Sequence, residues 1–122
     1  MTQEEKKCAG IWLDHRQAIF ITGENGEFAI KEKIKGEEHH GRKGEHNANN
    51  AKRNIDRKYH KELSNHLMPF DEIYLFGPGT SQEELRNFLN EDLHFKNKKI
   101  TLGTADHITD PQMVAQVRDF FS

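Results

Sequence analysis

The sequence holds a single cysteine, Cys8, so no disulfide can form within the chain, and a reducing compartment suits it. Cys8 is read as a small strand-edge residue and not as a reactive thiol. Long apolar runs are missing as well: stretches such as 18–21 and 73–76 fall far short of the about 20 residues that cross a bilayer. The opening MTQEEKKCAG has no apolar centre of a secretory signal, and the expected location is cytoplasmic. No stretch rich in proline, glycine and serine divides the 122 residues, which leaves one domain over 1–122 as the expectation. Apolar residues make up 34% and charged residues 31%, yet the apolar ones are clustered. Clustering excludes a disordered chain and predicts a modest core with solvated segments.

Residues 9–13 and 18–22 are apolar, with β-branched and aromatic types enriched, and the polar stretch from Asp14 to Gln17 parts them. This predicts a β-hairpin. After a second turn at Gly23-Glu24-Asn25-Gly26, Phe28, Ile30 and Ile34 alternate with Ala29, Lys31 and Lys33, the period of a third, half-buried strand. Residues 35–47, KGEEHHGRKGEHN, lack apolar periodicity and predict an exposed basic loop. Ala48, Ala51, Ile55, Tyr59, Leu63 and Leu67 then recur three or four apart, one face of a long helix with Asn47 or Asn49 as N-cap. Residues 72–76 read as a buried strand broken by Gly77-Pro78-Gly79. Thr80 and Ser81 stand three residues ahead of Glu83 and Glu84, as capping-box pairs for a helix that turns Leu85, Phe88 and Leu89 inward. A strand at 99–102 follows, then a closing helix with Asp110 as N-cap, Pro111 at its first position, and Met113, Val114, Val117 and Phe120 on one face. The order β-β-β-α-β-α-β-α predicts an α/β class, an antiparallel meander joined to a parallel pair in one α+β mixed sheet.

The formal net charge of −2 conceals an asymmetry. Residues 35–61 hold eight Lys/Arg against four Asp/Glu, a balance of +4, so the remainder carries −6, and four of the eight histidines lie in the same segment. Arg53, Arg57 and Lys61 stand four apart on the long helix, flanked by Lys52, Lys58 and His60, with Arg42 and Lys43 in the loop ahead. Cations in a row at helical pitch suit the phosphates of a nucleic acid. A merely solvated helix face is the alternative, and the coupling to a loop longer than about 12 residues favours function. Tyr59 can stack on a base, but its place in the apolar stripe assigns it to the core. His39, His40 and His46 with Glu37, Glu38 and Glu45 are all metal-ligand types, but adjacent histidines in a loop rarely converge on one ion. No native metal and no cofactor is expected; a protonation-sensitive anion site stays open.

The segment GRKGEHNANNAKRNIDRKYHKEL, 41–63, resembles the central domain of the eukaryotic and archaeal class-1 peptide-chain release factors, where a Gly-Gly-Gln loop precedes a long basic helix. IYLFGPGTSQEEL, 73–85, is similar to the strand and glycine-proline-glycine turn that follow in that family and in the related Pelota. A weaker likeness runs over most of the chain from Ala9 onward. The resemblance implies the ribonuclease-H-like, translational-machinery-component fold and a free-standing relative of bacterial type, acting at the ribosome or on tRNA. Where the family carries Gly-Gly-Gln, this chain has Lys43-Gly44-Glu45. Gly44 keeps backbone freedom at the loop tip. Glu45, next to His46, brings a carboxylate to a place where negative charge develops in ester hydrolysis. A chain of 122 residues has no room for the flanking domains of a full termination factor, and with Lys43-Gly44-Glu45 in place of Gly-Gly-Gln a noncatalytic relative is expected.

The expected interface therefore comprises Arg42, Lys43, Gly44, Lys52, Arg53, Arg57, Lys58 and Lys61, with Glu45 and His46 at the loop tip. Two alternatives remain. A metal-dependent nuclease would use Asp14 at the end of the first strand with Asp71, Glu72, Asp106 or Asp110; the same residues also suit a turn, a strand start and a helix cap. A protein-interaction module would use the acidic C-terminal half.

Overall fold

The computed structural model describes residues 7–24, 27–36 and 48–122, the side chains of residues 24 and 48–56 excepted. Its framework is β1 (Cys8–Leu13), whose residues from Ala9 onward are all buried. A strand covered on both faces needs a continuous apolar run and not alternation, and CAGIWL supplies one. β2 (Gln17–Glu24) returns antiparallel to β1, with Leu13 opposite Ala18 and Ala9 opposite Thr22, and β3 (Glu27–Lys35) pairs antiparallel with β2. On its other side β1 pairs parallel with β4 (Glu72–Phe76), which pairs parallel with β5 (Lys99–Leu102). The result is one five-stranded mixed sheet of order β3-β2-β1-β4-β5, as the sequence predicted in class. The parallel region holds three strands and not a pair, because β1 itself faces β4.

Three helices cover this sheet. α1 (Ala48–Leu67) and α2 (Ser81–Asn90) lie on one face, where Tyr59, Leu63, Leu67, Leu85 and Leu89 pack on Ile11, Leu13, Phe20, Ile73 and Leu75. α3 (Asp110–Phe121) covers the opposite face, placing Met113 and Val117 against Trp12, Ile19, Ile21, Tyr74 and Phe76. Each central strand divides its side chains alternately between these two layers. A 3-10 turn, Leu93–Phe95, adds Phe95 to the first layer. Lys98 Nζ closes the end of α1 by donating to the Met68 and Phe70 carbonyls at 2.7 Å.

Three local expectations are corrected. Strict alternation put Phe28, Ile30 and Ile34 on one face of β3, but Phe28 and Ile30 pack with the α3 layer and Ile34 with the α1 layer. A register shift between Phe20 and Ile21 inserts one residue into β3, and one residue reverses the facing of all that follow. α3 is capped by Thr109 and not by Asp110: the Thr109 hydroxyl accepts from the Gln112 amide at 3.3 Å, and the Gln112 side chain accepts from the Thr109 amide at 2.9 Å. This reciprocal box leaves Asp110 free to bind Lys33 at 2.8 Å, tying α3 to the sheet edge. At α2 no capping box forms, since the Thr80 hydroxyl donates to Glu84 Oε2 at 3.2 Å.

Gly10 of β1 lies directly beneath α3, and a Cβ there would overlap both Val117 methyl groups. The close approach of helix to sheet depends on its missing side chain. Gly10→Ala should therefore cost about 1–3 kcal/mol of stability by overpacking, measured by urea unfolding. Adding Val117→Ala should recover part of that loss, giving a coupling of about 0.5 kcal/mol or more in the double-mutant cycle.

Candidate nucleic-acid interface

The β1 and β4 strands run parallel and in register, Cys8 beside Glu72 and Trp12 beside Phe76, so they end at one level. Three connections open along that carboxyl edge: the β1–β2 turn at 14–16, the β4–α2 loop at 77–80 and the segment 103–109 that leads into α3. In open sheets with parallel strands, ligands bind in the crevice outside the carboxyl ends, where connections diverge to opposite faces. Here α2 goes to one face and β1 turns back into β2.

Each connection is held tightly. Asp14 Oδ1 accepts from the Arg16 and Gln17 amides at 2.8 and 3.0 Å, and the Asp14 amide donates to the Gln17 carbonyl at 3.0 Å. The carboxylate thus builds the tight turn that its position predicted. A Cβ on Gly77 would overlap the Leu13 carbonyl oxygen, so only glycine lets the two strand ends come this close. Gln82, 2% exposed, spans two connections: its Nε2 donates to the Gly77 carbonyl at 3.0 Å and to the Gly103 carbonyl at 3.1 Å. Trp12 Nε1 donates to the Asp106 carbonyl at 3.1 Å and its ring meets the His107 ring edge-on, with centroids 5.3 Å apart. His107 Nε2 faces Asp14 Oδ2 at 3.4 Å. Between these walls lies a cavity of about 470 Å³ lined by Asp14, His15, Arg16, Pro78, Gly79, Ser81 and His107.

The basic helix reaches the same edge. Tyr59, 5% exposed, donates its hydroxyl to the Asp14 carbonyl at 3.2 Å, and the Gly36 amide donates to the Arg16 carbonyl at 2.8 Å. Tyr59 belongs to the core, as its stripe position implied. Burial pushes its phenol up well beyond the ordinary range, and the Asp14 and Glu62 charges add to the shift. α1 descends from this level to Leu67 at the opposite edge, so its turns ahead of Tyr59 extend past the ends of the strands. Arg57, Lys58 and Lys61 are all exposed. Lys61 lends a smaller Coulombic pull to Asp92, whose carboxyl is held low mainly by the His94 amide and then the His94 ring. Lys35 closes β3 opposite Gln17 and is not a loop residue. Arg42, Lys43, Gly44, Glu45 and His46, the histidines 39 and 40, and the side chains of Lys52 and Arg53 lie outside the described residues.

Of the carboxylates suggested for metal-dependent cleavage, Asp71, Glu72 and Asp110 are engaged elsewhere, and only Asp106 shares the carboxyl edge with Asp14. Asp71 accepts from the Lys7 amide at 3.0 Å and stands with Glu72 at the far end of β4, Asp110 binds Lys33, and Asp14 is engaged in its turn. Among the described residues no three His, Cys, Asp or Glu side chains converge on a metal position. Arg16, Ser81, Gln82 and His107 were not singled out as site residues from sequence. A glycine-rich loop between strand and helix was the available signal for Ser81 and Gln82. His107 had none, because its approach to Asp14 depends on a contact across the fold.

This arrangement is a release-factor-like mixed α/β fold. It superposes on Pelota of Archaeoglobus fulgidus with a TM-score of 0.63 at 9% identity, over 96% of this chain and 32% of that one. The archaeal translation termination factor aRF1 gives 0.60 at 14% identity, over 93% and 34%. S. cerevisiae Dom34, a translation termination-like factor involved in RNA quality control pathways, gives 0.57 at 11% identity, over 89% and 31%. The chain spans about a third of the length of each, and at these identities the likeness is one of fold. No protein-family model matches the chain, and no curated protein matches it.

The Tyr59 tie is open to titration. A phenol ordinarily ionises near 10.0, and the folded state holds this proton more tightly, so its stabilisation is complete below that pH and is lost as pH rises past it. Tyr59→Phe should cost about 0.5–1.5 kcal/mol at neutral pH through removal of the hydrogen bond. It should also remove up to about 1.36 kcal/mol per pH unit from the alkaline fall in stability, read by urea unfolding from about pH 8 to about pH 11.

Proposed function

We propose that the chain is a translation-associated RNA- or ribosome-binding domain that acts in the cytoplasm without hydrolysing peptidyl-tRNA. The observation that carries this reading is the row of exposed cations at Arg57, Lys58 and Lys61, on a helix anchored by Tyr59 at the carboxyl edge of the sheet. Its fold is shared with proteins named for translation termination and RNA quality control, which supports a translational setting. Fold alone does not carry function, so the case rests on the charged face. Arg42, Lys43, Lys52 and Arg53 extend that cationic set in sequence, with Gly44 among them.

Lys43-Gly44-Glu45 supports a noncatalytic role. A carboxylate beside a tetrahedral oxyanion raises the barrier to ester hydrolysis, where a neutral amide or a backbone N–H would lower it. Binding of tRNA or of ribosomal particles is then the output, dominated by phosphate contacts and strongly weakened by salt. Among the described residues no helix is long and apolar enough to cross a membrane.

Arg57→Gln with Lys61→Gln neutralises two exposed side chains without touching the core. The double variant should bind tRNA more weakly and lower the magnitude of the salt slope by about 0.7–0.9 for each phosphate no longer neutralised. Filter binding over a range of salt checks this, with sedimentation of extracts in sucrose gradients as the cellular counterpart. An unchanged slope in the double variant rejects the assignment.

A further inference from the structure

The carboxyl-edge cavity has features that the basic helix does not explain. Ser81 lines it as the first residue of α2, is only 3% exposed, and its Oγ has no hydrogen-bond partner among the described residues. A buried hydroxyl without a partner is costly, and a water, an ion or a ligand group that reaches it relieves that cost. The hydroxyl is a single-bond rotor, so it can turn toward the space its residue lines. Around it stand the first-turn amides of α2, a ten-residue helix whose N-cap side chain makes no bond to them. Unmatched amides at a helix start carry partial positive charge and favour anions.

The surrounding side chains fit the same ligand. Arg16 on the facing wall is a permanent cation, and His15 and His107 add donors. Asp14 is the lining carboxylate, but its Oδ1 is spent on two amides and its Oδ2 faces His107. Glu84, in the first turn of α2, is engaged by the Thr80 hydroxyl. Gly79 leaves the mouth open: a Cβ built on it would meet nothing within 4 Å. A volume of about 470 Å³ accommodates a phosphate group and part of what carries it.

The geometry points to a phosphate-monoester site at this edge, in which the α2 amides and Ser81 Oγ bind the phosphoryl oxygens and Arg16 closes over them. The ligand is a terminal phosphate, either on an RNA end or on a small molecule. This site is independent of the α1 reading, since none of its residues belongs to α1.

Amide NMR of the full chain, titrated with inorganic phosphate, tests the site. Saturable shifts are expected at Ser81, Gln82 and Glu83, with Ser81→Ala weakening the affinity about tenfold or more. That variant removes a buried, unpartnered hydroxyl and should hold or raise the melting temperature, so weaker binding is not a loss of fold. Gly79→Glu, which sets a carboxylate in open space, should abolish the shifts and keep the fold. Non-saturating shifts that are the same in Ser81→Ala would mark an adventitious ion only and overturn the site. Competition between 5′-phosphorylated and 5′-hydroxyl RNA of one sequence separates the sources: a preference for the phosphorylated strand assigns an RNA end, and displacement by a nucleoside monophosphate alone assigns a small molecule. The Arg57→Gln, Lys61→Gln variant should retain the phosphate shifts, so failure of the α1 reading and failure of this one are distinguishable.

Discussion

The approach of the Gly77 backbone to the Leu13 carbonyl oxygen sets the geometry on which the rest depends. It lets β1 and β4 end side by side, parallel and in register, with a tight turn leaving one and a helix leaving the other. Backbone groups at strand ends need partners, and Gln82 supplies them to Gly77 and Gly103 from within α2. That arrangement costs the Gln82 carbonyl its own partner, since Oε1 remains unsatisfied among the described residues. The fold therefore keeps the carboxyl edge rigid with buried polar groups, while its core is held by apolar packing on both faces of β1.

Much of the framework was legible because its signals are local. Tyr59, Leu63 and Leu67 sit one turn apart, and all three are buried as that spacing demands. The run CAGIWL announces a strand hidden on both faces, and Asp14 announces its turn. What sequence did not reveal depends on distant partners. Nothing in Cys8–Leu13 says that Glu72–Phe76 will lie beside it, and the inserted residue in β3 shows only once β2 provides a register to depart from. Thr109 outcompeted Asp110 as cap because Gln112 reciprocates its hydrogen bond and Lys33 draws the carboxylate away, two interactions that propensity alone does not contain. The cationic spacing on α1 was legible, and its described members Arg57, Lys58 and Lys61 are exposed; the cavity beside it was not legible, because Arg16, Ser81 and His107 come from three separate connections.

The two surfaces proposed at this edge would draw on different physics to hold an anion. Exposed lysine and arginine side chains act through a screened field, with contacts that exchange counterions and weaken steeply as salt rises. First-turn amides and a buried hydroxyl act through fixed dipoles at hydrogen-bond range, where screening by salt is slight. A ligand that engages both would be steered by the first and positioned by the second. The Tyr59–Asp14 hydrogen bond joins them mechanically, because Asp14 shapes the turn that carries Arg16 and Tyr59 fixes the level of α1 against that turn.

Such coupling explains why a tyrosine and not a phenylalanine stands in the apolar stripe. A phenylalanine would fill the same space, but the level of α1 would then rest on the packing of Leu63 and Leu67 alone, without a directional bond to the Asp14 turn. Gly36 adds to the fixation: a Cβ there would stand 3.3 Å from the Tyr59 ring, so the chain leaving β3 passes close over the ring face. Gly36 at the end of β3, the anchored helix and the Arg16 turn are thus tied to one another through Tyr59 and the Arg16 carbonyl. The backbone that carries the α1 cations and the backbone that carries Arg16 are thereby joined by a hydrogen bond, which limits how far the two charged groups can separate.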